Sequence, residues 1–213
     1  MPTTYPLFLA LVVSLIAVPG PDMLYVVGRS ITRGRTAAFF AAAGIAAGYL
    51  VFTGLVAVGV GVIFALDETV FRAVQAAGLV YLAYLAWRLF RSDGIGDGEI
   101  GGSGVSPEIS RGEDFVFGVL TSALNPKGIL FYFSILPQFV TPAAGPLWRQ
   151  ALLLGVTTSL LCLALYFAAG LLASAGSRRW ATSPERRRLI ARAAGAVLVV
   201  AIVLVATTRL PGA

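Results

Sequence analysis

Histidine is absent from the 213 residues, and cysteine occurs once, at Cys162. A single cysteine excludes a disulfide or a paired-thiol relay within the chain. With no imidazole and one thiol, the usual ligands for zinc, copper or nickel are missing, so no metal and no other cofactor is expected. Charge is scarce too: 12% of residues are charged, against roughly a quarter in soluble domains. Between Thr36 and Leu66 there is no charged residue at all. Of the 16 basic residues only Lys127 is a lysine. It lies in LNPKGILFYFSILPQF (Leu124–Phe139), an oily stretch, directly after a proline.

Apolar side chains are abundant, at 58% of the chain. They form continuous runs, and about 20 apolar residues cross a bilayer. Continuous rather than alternating runs argue against a transmembrane β-barrel. The expected fold class is therefore an all-α integral membrane protein with six transmembrane helices: Pro6–Val27, Ala37–Ile63, Phe71–Phe90, Phe115–Val140, Leu147–Ala173 and Leu189–Thr207. The first run lacks a positively charged start, and Pro19-Gly20-Pro21 is not a leader cleavage site, so it reads as a span. The second run is long enough that it must tilt or project.

The arginines sort to one side. Arg29, Arg33 and Arg35 follow the first span, Arg88, Arg91 and Arg111 the third, and Arg178, Arg179, Arg186, Arg187, Arg188 and Arg192 the fifth. Arg72, Arg149 and Arg209 lie opposite. The positive-inside rule puts the larger group in the cytoplasm and both termini outside, in the cell (inner, cytoplasmic) membrane. The net charge of +6 is then explained by topology and lipid headgroups, not nucleic acid.

The stretch Arg91–Asp114 is rich in Gly and acid and cannot bury a core, so it reads as a flexible cytoplasmic linker. It separates two three-span halves, residues 1–90 and 115–213. Because three is odd, the halves enter the membrane in opposite senses, the layout of a 3+3 inverted repeat. Phe8, Ser14, Pro19 and Tyr25 recur at a constant offset as Phe115, Thr121, Pro126 and Tyr132. A second correspondence, Ala76-Ala77-Gly78 with Ala193-Ala194-Gly195, is weaker in so Ala-rich a chain.

Both halves break a helix. Pro19 and Pro21 each remove a backbone donor and clash with the preceding turn, and Gly20 adds freedom, so span 1 unwinds before Asp22. Asn125-Pro126-Lys127 is the matching break in span 4. Irregular backbone at membrane depth is tolerated only where it faces protein or a wet cavity. Asp22 and Lys127 are the charges expected deep within the spans, each costing about 2.5–3.5 kcal/mol on an insertion scale. A buried Asp22–Lys127 bridge would staple the two spans. Two symmetric breaks with opposite charges are more than a staple needs and point to a substrate site. Lys127 suits a carboxylate, while Asp22 and freed carbonyls suit an amine, so the site suits a zwitterion. Tyr25 and Tyr132, one to two turns past the breaks, are candidate lining hydroxyls. The expected substrate-binding set is Pro19, Gly20, Pro21, Asp22, Tyr25, Asn125, Pro126, Lys127 and Tyr132, with Asp22 also carrying the coupling proton.

At these residues the chain resembles the lysine exporter (LysE/RhtB) family. The resemblance is carried by PGPDMLYVVGRSITRGRTAAFFAAAGIAAG and LTSALNPKGILFYFSILPQFV, and by GLVYLAYLAWRLFR and LGVTTSLL. It implies six spans, an inner-membrane location, and export of amino acids or related metabolites driven by an ion gradient. Many members carry an acid after the G-x-x-x-G of span 2 and another in span 5; here those places read Gly48-Tyr49-Leu50 and Leu161-Cys162-Leu163. That departure favours a neutral amino acid or a homoserine-like compound over a dibasic one.

A membrane enzyme is opposed by the absence of histidine and of any carboxylate pair in the spans. A non-transporting scaffold would not need charged breaks, and a simple ion pore does not suit an Asp–Lys pair. Gly44-x-x-x-Gly48 permits close helix approach. Packing within the subunit is its expected use and a homodimer the alternative.

Overall fold

Inside a bilayer every backbone N–H and C=O must be satisfied within the protein, which favours helices. The computed structural model describes residues 5–18, 20–65 and 110–175 and the isolated positions 76, 80, 83, 84, 87, 192, 196, 199, 200 and 203. Among the described residues there is no strand. Helix α1 is Tyr5–Ala17, α2 is Pro21–Ala65, α3 is Arg111–Ala123, α4 is Pro126–Leu130 and α5 is Leu147–Ser174. Between α4 and α5 the chain runs through a π-helical turn, Phe131–Ile135, and the 3-10 turns Leu136–Phe139 and Pro142–Ala144. Two helices, Pro21–Gly59 and Leu147–Ser174, are long and apolar enough to cross a membrane. There are three candidates if Arg111–Ala123 and Pro126–Phe139, bent by 55°, form one broken span.

Helix α2 is not one rod. Gly34 interrupts it with φ 80° and ψ −171°, a region open essentially to glycine alone. Asp22 and Tyr49 are 27 residues apart, yet the Tyr49 hydroxyl donates to the Asp22 carboxylate. A straight helix would separate them by about 40 Å. The chain therefore doubles back at Gly34 into two arms, residues 21–33 and 35–65. The first arm continues the broken span opened by α1; the second contains the expected span Ala37–Ile63. The segment Phe115–Val140 is the bent unit from α3 to the 3-10 turn, and Leu147–Ala173 is α5. The expected spans Phe71–Phe90 and Leu189–Thr207 lie outside the described residues, except for isolated helical positions within each.

The end of the expected linker is ordered helix. Ser110 caps α3: its hydroxyl accepts the Glu113 N–H at 3.3 Å, and the Glu113 carboxylate accepts the Ser110 N–H at 2.5 Å. This reciprocal box satisfies two of the donors that a helix start leaves open, so α3 begins at Arg111, before the apolar run does. Residues 91–109 lie outside the described residues.

Small residues let three elements meet backbone to backbone. A Cβ at Gly44 would strike the Phe115 carbonyl, one at Gly48 the Ser122 hydroxyl, and one at Gly118 the Ala41 carbonyl. The G-x-x-x-G face is thus occupied by α3 of the same subunit. Gly170 of α5 lies against Val26, Ser30 and Ala38, and the Ser30 hydroxyl donates to its carbonyl at 2.5 Å. Phe8 of α1 packs on Phe131 and Phe139, closing the core beside the second break. The outward faces are oily: Val51, Leu55 and Val58 on α2 and Leu153, Leu160 and Leu172 on α5 are all exposed, as contact with lipid requires.

Candidate functional site at the two helix breaks

The breaks share one design. Proline opens the second half-helix, where its missing N–H costs nothing, and a charged residue follows: Pro21-Asp22 in α2 and Pro126-Lys127 in α4. By helix start, Pro21 corresponds to Pro126, two residues off the register that pairs Pro19 with Pro126. Pro19 itself lies outside the described residues. At the second break Asn125 is the N-cap, its side-chain oxygen accepting the Lys127 N–H at 3.0 Å.

Lys127 is 7% exposed. Its ammonium donates to the carbonyls of Leu15 and Val18, both at 3.0 Å. These carbonyls lie at the end of α1, where the helix runs out of donors. Gly20 lies alongside, its Cβ direction 3.5 Å from the Lys127 Nζ. The lysine thus joins the breaks through backbone carbonyls. The direct Asp22–Lys127 bridge does not form: among the described residues both ion pairs fall on Asp114. An ammonium has three N–H groups, so one remains beyond the two carbonyls.

Asp22 is fully buried. Its Oδ2 accepts the Tyr49 hydroxyl, and its Oδ1 has no partner among the described residues. The Asn125 side-chain amide reaches the Tyr49 oxygen only at 3.5 Å. The Tyr49 ring stacks on Tyr132 with centroids 5.5 Å apart, and it lies where a side chain on Gly128 would sit. Tyr132 belongs to the π-helical turn, a distortion frequent at functional sites. Its hydroxyl donates to the Gly155 carbonyl at 3.2 Å and lies 3.4 Å from the Thr53 and Ser159 hydroxyls.

Lys127, Tyr49 and Tyr132 line a small cavity between the helices, with room for about a water molecule. Lys127, Tyr49, Tyr132 and Thr158 supply its polar groups, and Val12, Leu15, Ile16, Phe131, Cys162 and Tyr166 much of its apolar wall. Gly20, Asp22, Asn125, Lys127 and Tyr132 are therefore brought together. Pro21 and Pro126 are exposed and act by shaping the half-helix starts. Tyr25 points away, its hydroxyl donating to the Asp114 carbonyl at 3.0 Å. Tyr49, Thr158, Cys162 and Tyr166 were not among the expected site residues. The last three recur every fourth residue, one stripe along α5, and that spacing is their signal in the sequence.

Tyr25, Arg29 and Arg33 form a second stripe, also at intervals of four, that converges on Asp114. Arg29 is 1% exposed and Asp114 0%. Asp114 Oδ1 accepts from the Arg29 guanidinium, and Oδ2 accepts from Arg33 Nη1 at 2.9 Å. The sequence places Arg29 in a loop and Asp114 in the linker; both are helical, and they clamp the first arm of α2 to the start of α3.

A model of the LysE type translocators matches residues 13–208. The chain belongs to the LysE type translocator family. It is a membrane translocator, and relatives with assigned names support that class. A homoserine/homoserine lactone efflux protein of Salmonella typhimurium is 28% identical over 191 residues, 90% of each chain. An uncharacterised membrane protein of Pseudomonas aeruginosa is 32% identical over 193 residues, 87% of this translocator and 85% of the relative. A leucine efflux protein of Salmonella choleraesuis is 31% identical over 130 residues, 61% of this chain and 60% of its own. No solved structure matches.

Proposed function

We propose that the translocator is a secondary exporter of small zwitterionic metabolites, namely neutral amino acids or homoserine-like compounds, working by proton antiport. The substrate sits at the membrane midplane between the broken helices, in a six-span inverted repeat of the inner membrane with both termini outside. The observation that carries this reading is one cavity reached by a lysine ammonium from the second break, with a buried carboxylate from the first break one tyrosine away. The remaining N–H of Lys127 receives the substrate carboxylate. The apolar wall of Val12, Leu15, Ile16 and Phe131 takes a short side chain, and the Thr158 hydroxyl suits a hydroxylated one. Among the described residues no carboxylate lines the cavity itself and Asp22 is the one behind it, so a second positive charge on the substrate would have no partner there. The names of the homoserine and leucine efflux relatives agree with that selection.

Coupling follows from exclusion. Asp22 is a single carboxylate, and a proton and a substrate ammonium cannot both hold it, so release of one goes with capture of the other. Counterflow of a labelled amino-acid panel in proteoliposomes tests the site. Saturable exchange of a few neutral amino acids is expected, and Lys127→Ala should abolish it. Equal exchange by the variant would make Lys127 a structural bolt and refute the site. Asp22→Asn should lose proton dependence; full dependence in that variant would remove Asp22 from the coupling step.

A further inference from the structure

Asp22 is the buried carboxylate left unfinished. A carboxylate accepts about four hydrogen bonds, and under-satisfied buried charge is costly. Asp114, equally buried, has two arginines; among the described residues Asp22 has one phenol on Oδ2 and nothing on Oδ1. The cavity is lined by Lys127 and Tyr49 but not by Asp22. The Tyr49 side chain therefore stands between the cavity and the carboxylate, its hydroxyl where a cationic donor from the cavity would arrive. That hydroxyl is loosely held on its other side, with the Asn125 amide at 3.5 Å. The ring rests on the bare backbone of Gly128 and on Tyr132, so no side chain on Gly128 bars its movement.

We infer that the Tyr49 hydroxyl caps Asp22 until the ammonium of an α-amino acid displaces it, which makes Tyr49 a specificity-determining residue for the amine end of the substrate. The inference rests on the zwitterion reading above. Removing the cap leaves Asp22 exposed to the cavity and strengthens binding of amine-bearing ligands alone. A ligand with the same side chain and carboxylate, but a 2-hydroxyl in place of the amine, gains nothing.

The test measures exchange in proteoliposomes for wild type and Tyr49→Phe, which keeps the ring and removes the hydroxyl. Half-saturation by the transported amino acid should fall roughly 2- to 10-fold, the worth of one net hydrogen bond. Inhibition by the matching 2-hydroxy acid should be unchanged. Gly128→Ala, whose methyl displaces the Tyr49 ring with its hydroxyl retained, should move the two ligands in the same way. Equal shifts for both ligands, no shift, or weaker amine binding would overturn the inference. So would failure of both variants to fold while Tyr132→Phe folds, since Tyr49 would then be a structural element. Wild type that exchanges no amino acid would refute the zwitterion reading instead, so the two failures are distinguishable.

Discussion

Asp114→Asn isolates one interaction whose size the geometry sets. Asp114 is fully buried and holds Arg29, 1% exposed, and Arg33, 24% exposed. Replacing the carboxylate by an amide leaves the Arg29 guanidinium charged, buried and without a counter-ion. Removing one partner of a buried pair costs about 3–5 kcal/mol. For a chain of this size 1 kcal/mol corresponds to roughly 2–4 °C, so the apparent melting temperature in detergent should fall by about 6–20 °C. Arg33→Ala removes the more exposed partner and leaves the Arg29 pair intact, so its cost should be about 0–1 kcal/mol. The contrast between the two variants carries the argument. Thermal unfolding followed by size-exclusion recovery gives both values. Replacing Arg29 and Asp114 together by leucine should recover much of the loss, because the cost lies in the unpaired charge and not in the missing pair. An Asp114→Asn protein melting within about 2 °C of wild type, less than a single kcal/mol would shift it, would show that Arg29 has another partner and that the clamp is not what joins α2 to α3.

Other substitutions address the frame around the site. Gly34→Ala imposes a side chain on a glycine-only conformation and should cost about 1–3 kcal/mol, seen as a lower melting temperature with exchange retained by the folded fraction. Gly44→Ala presses a methyl onto the Phe115 carbonyl and should cost about 1–3 kcal/mol by overpacking; an unchanged melting temperature would place the G-x-x-x-G face away from α3. Lys127→Ala should abolish counterflow, and Asp22→Asn should flatten its proton dependence, both measured on protein shown to be monodisperse.

Family membership narrows the chemistry to translocation, and the local structure explains why the breaks are where they are. Proline acts through its own ring and missing N–H, so Pro21 and Pro126 mark half-helix starts wherever the chain goes. Ser110 and Glu113 form their capping box within four residues. Apolar runs must be helical in lipid because no other partner exists for their amides. These effects reach no further than one or two helical turns, which is why the helices, the second break and the opposed charges Asp22 and Lys127 can be read from the residues alone.

The partners of those charges cannot be read that way. A lysine beside a proline offers three N–H groups to any acceptor; that they meet Leu15 and Val18, not Asp22, depends on how α1 crosses α4. Tyr49 is silent in its own apolar run and becomes the cap of Asp22 only because the chain reverses at Gly34. Arg29 and Asp114 carry the look of loop charges, and their burial is decided by the close approach of α2 and α3 across Gly44, Gly48 and Gly118. Among the described residues, sequence determined where the apolar helices run and where the second break falls, because those are local backbone energies. Tertiary structure decided which buried charges are paired and which is left open, because desolvation and pairing depend on groups brought together from distant parts of the chain.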